Sequence, residues 1–439
     1  MTDTSSQSAS AITQVLRRLQ EDQLPPHDTV VALAALIYLR WADFQEAEQE
    51  AISAFDETDY RPLLPASMHW RSWYLLSPQE LKELFAERLP HALEQLNNFR
   101  HHSLATQLHR MAAAVKDLGR LSPRSLDMLV HWLADQPFET SRDRRALLDL
   151  FDIAIDSKFD KYAPEFRTPP GIASLLVEIA APTAEERVYD PCFGSATLLT
   201  AAYEHARDKA KVRISRDGAP ALKIFGIERN SSAYIIGVTR LALAGINEPQ
   251  LELGNSLERS PLRNSQRDGF DVVLANPPWG LRVDPVGLDH YPIRTTDSTD
   301  LFIQHALSQL RPEGRAVFIV PQGFLFRRGP EQHLRQMLLT QHTVEAVVSL
   351  PQGAFLPYTG IQASILVLRR TGPTRRVRMI EAAPFFEKAK GNKATTIRLE
   401  RAVELAQQLR DPKPGKYYWD IDPESLAEAD WDLTPKRRD

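Results

Sequence analysis

Phe270-Asp271-Val272-Val273-Leu274-Ala275-Asn276-Pro277-Pro278-Trp279 is the stretch on which the reading of the chain turns. Apolar residues interrupted only by Asp271 mark a short buried strand, and Asn276 stands where that strand runs out. Pro277 and Pro278 fix φ twice in succession and supply no N–H, so the turn is stiff and its carbonyls point outward as acceptors. Trp279 then places a broad aromatic face beside an amide side chain. Rigid acceptors next to a stacking surface suit a planar ring that carries an amino group. Taken alone, the same residues also describe a strand end with a proline turn ahead of a tryptophan.

Strand and helix patterns alternate on both sides of this stretch. Short strands at 187–190, 224–228, 251–253, 315–321, 344–350 and 363–369 are separated by helical patterns at 197–207, 231–244, 301–310 and 330–340. Repeated βα units predict an α/β fold, a doubly wound and mostly parallel sheet with helices on both faces. Such a sheet binds its ligand beyond the carboxyl ends of its strands, where the loop at 190–197, Glu228 and Asn276 all fall. Residues 1–157 read instead as an all-helical N-terminal domain. Helical spacing covers 11–19, 30–55, 78–99, 104–118, 125–136 and 142–156, and the aromatics Trp70, Trp73 and Tyr74 are expected in its core. His101 and His102 are adjacent, so they cannot share a helix face as metal ligands do, and no metal site is expected.

The length of 439 residues suggests two to three domains at roughly 150 residues each. Hydrophobic content of 43% and charged content of 25% are ordinary for a globular protein. No basic and then apolar leader opens the chain, and the longest apolar run, at 30–39, is about half a membrane span. A cytoplasmic protein with no membrane partner is expected. Cys192, the one cysteine, rules out an internal disulfide framework. The net charge is −4, yet residues 367–400 hold nine basic against three acidic side chains. That run suits a phosphate-contacting face or an ordinary solvated surface, and composition does not choose between them.

Asp190-Pro191-Cys192-Phe193-Gly194-Ser195-Ala196 is a strand-to-helix loop with one glycine, a weak signal by itself. Glu228, closing the next strand, can accept hydrogen bonds from both hydroxyls of a ribose. Dinucleotide folds add a G-x-G-x-x-G run that seats a diphosphate on the helix N-terminus. Ala196 and Thr197 stand where that run would continue, which disfavours NAD. A nucleoside ligand without phosphates, such as S-adenosylmethionine, fits better.

With these pieces combined, the chain resembles the modification subunit of type I restriction–modification systems, an N6-adenine DNA methyltransferase family, over nearly its whole length. Pro164-Glu165-Phe166-Arg167-Thr168-Pro169 is similar to the family's F-x-T-P element, 190–197 to its D-P-x-x-G-x-G-G loop, and Gly254-Asn255-Ser256 to its G-D-T/S element. Asn276–Trp279 matches N-P-P-(F/Y/W), and the runs at 314–321, 350–355 and 359–365 resemble this subunit more than other adenine methyltransferases. The resemblance implies a Rossmann-like methyltransferase domain over 158–372, with 373–439 as a basic, helical extension. It implies S-adenosylmethionine contacts from Glu165, Phe166, Arg167, Thr168 and Pro169, from Asp190, Gly194, Ser195, Ala196 and Thr197, and from Glu228 and Asn255. Catalysis would fall to Asn276, Pro277, Pro278 and Trp279 acting on an adenine rotated out of double-stranded DNA, by direct transfer with no covalent intermediate. Cys192 is then a small loop residue.

The chain departs from the family pattern at four places. Ala196 and Thr197 replace glycines, Asn255 replaces an aspartate and Arg167 replaces an aromatic, which predicts weaker cofactor binding. Residues 370–439 are too few for a target-recognition module. A separate specificity subunit, usually a second modification subunit, and a restriction subunit as a further candidate are the implied partners. Two other readings stay open: a non-catalytic DNA- or partner-binding scaffold derived from the family, and a protein glutamine N-methyltransferase, which also holds an NH2 group. The helical region and the 314–365 match argue against the latter.

Overall fold

The computed structural model describes residues 21–22, 25–56, 60–96, 103–158, 167–209, 222–246, 248–284, 286–389, 394–411 and 415–436. The expected helix at 11–19 lies outside them, as do Glu165 and Phe166. The chain divides into two compact units, Met1–Pro164 with Ser232–Pro249, and Glu165–Ser231 with Gln250–Asp439.

The first unit is helical, as its periodicity predicts. Its long helix Pro26–Phe55 keeps residues 29–39 buried. The expected helix from residue 78 starts on a capping box, with Ser77 and Glu80 each accepting from the other's backbone N–H. It runs on from Pro78–Glu83 through one π turn at Leu84–Arg88 into Leu89–Gln95. Pro90 explains the π turn: it has no N–H to return to the preceding turn, so the coil widens just before it. Gly119 packs so close to this turn that a Cβ there would lie 2.5 Å from the Ala86 Cα.

One helix belongs to this unit although its flanking strands belong to the sheet. Helix Ser231–Leu243 is buried at every residue from 233 to 243, the mark of a helix packed on all sides. Tyr234 accepts from Arg110 at 2.7 Å, Thr239 donates to the Ala34 carbonyl at 3.0 Å, and Arg240 pairs with Asp152. Periodicity places the helix correctly in sequence, but cannot say what it packs on.

Among its described residues the second unit holds nine strands in one sheet: β1 (Arg187–Asp190), β2 (Lys223–Glu228), β3 (Gln250–Leu253), β4 (Phe270–Ala275), β5 (Leu310–Pro321), β6 (Thr343–Ser349), β7 (Ala363–Arg369), β8 (Val377–Glu381) and β11 (Tyr418–Ile421), while β9 (Glu387–Lys388) and β10 (Thr395–Thr396) pair only with each other. The order in the large sheet is β11-β8-β6-β7-β5-β4-β1-β2-β3. Pairs within β3-β2-β1-β4-β5 and between β6 and β8 are parallel, while β7 runs antiparallel between β5 and β6, and β11 antiparallel to β8. The expected mostly parallel, doubly wound sheet is borne out. Strand order reverses between β1 and β4, the switch point at which such sheets open a crevice.

Beyond shifts of one or two residues, two larger differences from the sequence reading stand out. The helix expected at 301–310 is Ser298–Gln309, and β5 already starts at Leu310, because Pro312 cannot continue a helix. Residues 373–439 are not a separate extension, since they supply β8 and β11 of the same sheet. Five of the nine basic side chains of the 367–400 run are tied to neighbouring groups. Arg378 is buried opposite Asp420 in the β8–β11 register and binds it at 2.5 Å, Arg376 reaches the same carboxylate, Arg369 holds Glu345 and Arg398 holds Glu387. Arg370 donates to the Leu310 carbonyl. Arg378 is thus a buried cross-strand tie, while Arg376 and Arg398 pair at the surface.

Candidate active site

β1, β2 and β4 end side by side, and their last or next residues are Asp190, Glu228 and Asn276. All three line one cavity of 680 Å³, together with Thr168, Thr197, Asn255, Pro278 and Trp279. Arg167, Pro169, Gly194, Ser195, Ala196 and Pro277 are not among its lining residues.

The loop after β1 is built around the β2 carboxylate. The Gly194 N–H donates to Glu228 Oε2 at 2.9 Å and the Asn230 N–H to Oε1 at 2.7 Å. Gly194 takes φ +52° to make this turn. Gly226 is a glycine for another reason: the Phe193 ring lies 2.6 Å from where its Cβ would be. Burial raises the Glu228 carboxyl, and the backbone N–H donors of Asn230, Gly194 and Arg229 only partly offset it. Asp190, 1% exposed, is pushed up to about 8 by burial, helped by the Glu228 charge and opposed by the Cys192 N–H. Burial likewise raises the Cys192 thiol well above its usual range, so it is no nucleophile.

Ala196, one of the residues in place of a family glycine, has φ +59° and is fully buried. An L-residue held there costs roughly 1–2 kcal/mol, against about 0.5–1 kcal/mol of extra chain entropy that a glycine would lose on folding. Ala196→Gly is therefore expected to raise the thermal midpoint by about 1–2 °C, whereas Ala196→Val lowers it. Differential scanning calorimetry of both variants checks this; a lower midpoint for Ala196→Gly would refute it.

Asn255 uses its side chain locally. Its Oδ1 accepts the Leu257 N–H at 3.2 Å and its Nδ2 donates to Glu258 at 2.9 Å. A buried chain of hydrogen bonds steadies the same loop. Because the Tyr291 hydroxyl donates to the Leu257 carbonyl, it accepts from His305 Nδ1, which leaves His305 Nε2 to accept from Tyr189 at 3.0 Å. Burial pushes His305 down to about 3, so it stays neutral.

At the end of β4, Asn276 Nδ2 donates to the Thr168 Oγ1 at 3.2 Å and the Arg167 carbonyl at 3.4 Å. A carbonyl only accepts, so the amide nitrogen must face Arg167 and Oδ1 must face away. Among the described residues nothing donates to Oδ1 or to the Pro277 carbonyl. Ser298 Oγ donates to the Pro278 carbonyl at 2.5 Å and so fixes the far side of the turn. The Trp279 ring meets Phe355 edge-on, centroids 5.1 Å apart at 66°, and the Arg167 guanidinium lies over Tyr358. Phe355 and Tyr358 come from the β6–β7 loop. Sequence reasoning gave neither them nor Ser298 a role; for Phe355 the only signal was its place in the 350–355 run. Among the described residues no cluster of side chains could hold a metal ion.

The chain matches the N-6 DNA methylase family model over residues 154–438. It is 28% identical over 357 residues to the type I restriction enzyme EcoEI methylase subunit of Escherichia coli, covering 79% of this chain and 71% of that protein. It is 27% identical over 316 residues to the MpnII methylase subunit of Mycoplasma pneumoniae, covering 65% of this chain and 56% of that protein. Among solved structures, one from a study of complex assembly in a type I restriction–modification system superposes with a TM-score of 0.81 at 24% identity, over 99% of this chain and 90% of that one. A modification subunit of a putative type I restriction enzyme from Vibrio vulnificus superposes at 0.76 and 22% identity, over 98% of this chain and 96% of that one. Both share the fold. With an N-P-P-W turn at the switch point of this sheet and a family match over well more than half its length, the chain belongs to the N-6 DNA methylase family and is, by that membership, an adenine DNA methyltransferase.

Proposed function

We propose that the chain transfers the methyl group of S-adenosylmethionine to N6 of an adenine rotated out of duplex DNA, as the modification subunit of a type I-like assembly. The observation that carries this is the orientation of Asn276, whose amide nitrogen is tied back so that its oxygen and the Pro277 carbonyl are left as acceptors. Two acceptors match the two N–H bonds of an exocyclic amine. They draw electron density toward N6 and aim its lone pair, so positioning and electrostatics supply the rate. Trp279 offers its face to the base and Phe355 closes the corner at a steep angle. N6 forms its bond to carbon as the sulfur–carbon bond breaks, and sheds one proton afterward, when the nitrogen is cationic and strongly acidic.

The residues present fit the cofactor. Glu228 keeps lone pairs for ribose hydroxyls beyond the two N–H bonds it accepts. The buried hydroxyl of Thr168 lines the same cavity. S-adenosylmethionine supplies a methyl group made electrophilic by its sulfonium. On the outer side of Trp279 a further cavity of 330 Å³ is lined by exposed Phe326, Arg327 and Ile361, an aromatic and cationic surface of the kind that tracks a nucleic-acid strand. A specificity subunit, a second copy of the chain and a restriction subunit are the partners proposed with this role, which would place the protein in the cytoplasm.

Sequencing modified bases in DNA from cells that carry the chain with its neighbouring genes tests the proposal: N6-methyladenine at one defined sequence supports it, and unmodified DNA refutes it. A pH dependence follows as well. Asp190, raised to about 8 by burial, is mostly protonated at neutrality and gains its charge as pH rises through that value. A cationic ligand favours the charged form, so S-adenosylmethionine affinity should increase from pH 6.5 to 8.5 and level off above. Calorimetric titration at several pH values checks this; Asp190→Asn should flatten the profile, and a flat wild-type profile would refute it.

A further inference from the structure

We propose that Thr168 is a positioning residue that links occupancy of the cofactor cavity to the orientation of Asn276. The inference rests on the function proposed above and adds a role to a residue expected only to touch the cofactor. Thr168 precedes helix Pro170–Ala180, is 6% exposed and lines the 680 Å³ cavity. Its Oγ1 accepts from Asn276 Nδ2 at 3.2 Å. That bond uses a lone pair of the hydroxyl and leaves its proton, for which the described residues provide no acceptor. A buried hydroxyl whose proton lacks an acceptor is costly, and the cavity is the place where a ligand oxygen can take it.

A hydroxyl that donates to an anionic oxygen becomes a better acceptor, because hydrogen bonds in a chain polarise one another. A carboxylate in the cavity would therefore tighten the bond from Thr168 to Asn276. The amide is then held with Oδ1 outward once the cofactor is present, before the base arrives. The Arg167 carbonyl alone, at 3.4 Å, is the longer and weaker tether. By linkage the effect is reciprocal: an amine held by Asn276 should strengthen cofactor binding by the same factor.

Thr168→Val, Thr168→Ser and wild type separate the hydroxyl from its bulk. In a chain labelled with ¹⁵N-asparagine, S-adenosylhomocysteine should shift the Asn276 side-chain NH2 resonances, identified by their loss in Asn276→Ala. Thr168→Ser should keep that shift, and Thr168→Val should abolish it while weakening S-adenosylhomocysteine binding about 5- to 10-fold, the loss of one hydrogen bond. In the complex purified with the subunits of its neighbouring genes, Thr168→Val should lower kcat about 10- to 100-fold, as a loosened acceptor does. KM for DNA should change less than threefold, and Thr168→Ser should restore kcat. Shifted NH2 resonances in Thr168→Val, or a serine variant as impaired as the valine one, would overturn the proposal. So would failure of the wild-type chain to bind S-adenosylhomocysteine. The resonance test needs no turnover, so DNA left unmethylated by the wild type would count against the proposed function and not against this link. Should the valine variant not fold, serine against alanine gives the same comparison.

Discussion

Asn276→Ala abolishes adenine methylation while the chain still folds and binds S-adenosylmethionine: that is the expected result. The substitution removes the outward-facing Oδ1 and leaves the Pro277 carbonyl as a lone acceptor. Loss of one preorganised polar group aimed at developing charge costs about 10²- to 10³-fold in kcat, which puts the variant at the edge of detection. Folding should suffer little. Asn276 is half-buried, and its two hydrogen bonds to Arg167 and Thr168 are worth about 1 kcal/mol each at most. Methyl incorporation into DNA, measured beside cofactor binding by calorimetry, separates the two effects. Methylation within threefold of wild type would show that the N-P-P-W turn is not where chemistry occurs, and would favour a non-catalytic scaffold.

Arg315→Ala should give the largest loss of stability. From β5 the Arg315 guanidinium makes a fork-to-fork pair with Glu186 at 2.7 and 2.9 Å and also donates to the carbonyls of Ala180 and Ala181 at 2.5 and 2.9 Å. Those carbonyls end helix Pro170–Ala180, where Ala181 sits at φ +46°. Glu186 leads directly into β1. One side chain thus pins the helix that follows Thr168 to the strand that carries Asp190. Both partners of the pair are largely buried, and removing one member of such a pair costs roughly 3–5 kcal/mol. Lysine should recover only part of this, since it cannot form the planar fork.

The pH dependence has a definite sign. Burial by itself would raise Glu186, but the Arg315 guanidinium and the Thr183 N–H outweigh it and hold the carboxyl below its usual value. A depressed carboxylate contributes stability above its unfolded pKa and loses it as pH falls through the folded one. The difference between wild type and Arg315→Ala in urea unfolding should therefore be full at pH 7 and shrink toward pH 3. A difference under 1 kcal/mol at pH 7 would refute the assignment.

The sequence by itself determined what depends on neighbouring residues. The strands of β1, β4 and β7 stand where alternation and apolar runs put them, because burial of successive side chains leaves a local period. Asp190, Glu228 and Asn276 could be placed at one rim because parallel strands share a direction, so residues that end them must meet. The stiffness of Pro277-Pro278 is likewise a property of those residues alone. Tertiary structure decided whatever depends on residues far apart in the chain. Helix Ser231–Leu243 bonds to Arg110, Ala34 and Asp152, all far away in the chain, and its own residues could not name them. Arg378 looked like part of a basic surface until Asp420, 42 positions later, arrived opposite it. The side of Asn276 that faces outward was settled by Arg167 and Thr168, more than a hundred residues earlier. A single sequence records which groups need a partner; only the closed sheet brings that partner within hydrogen-bonding distance.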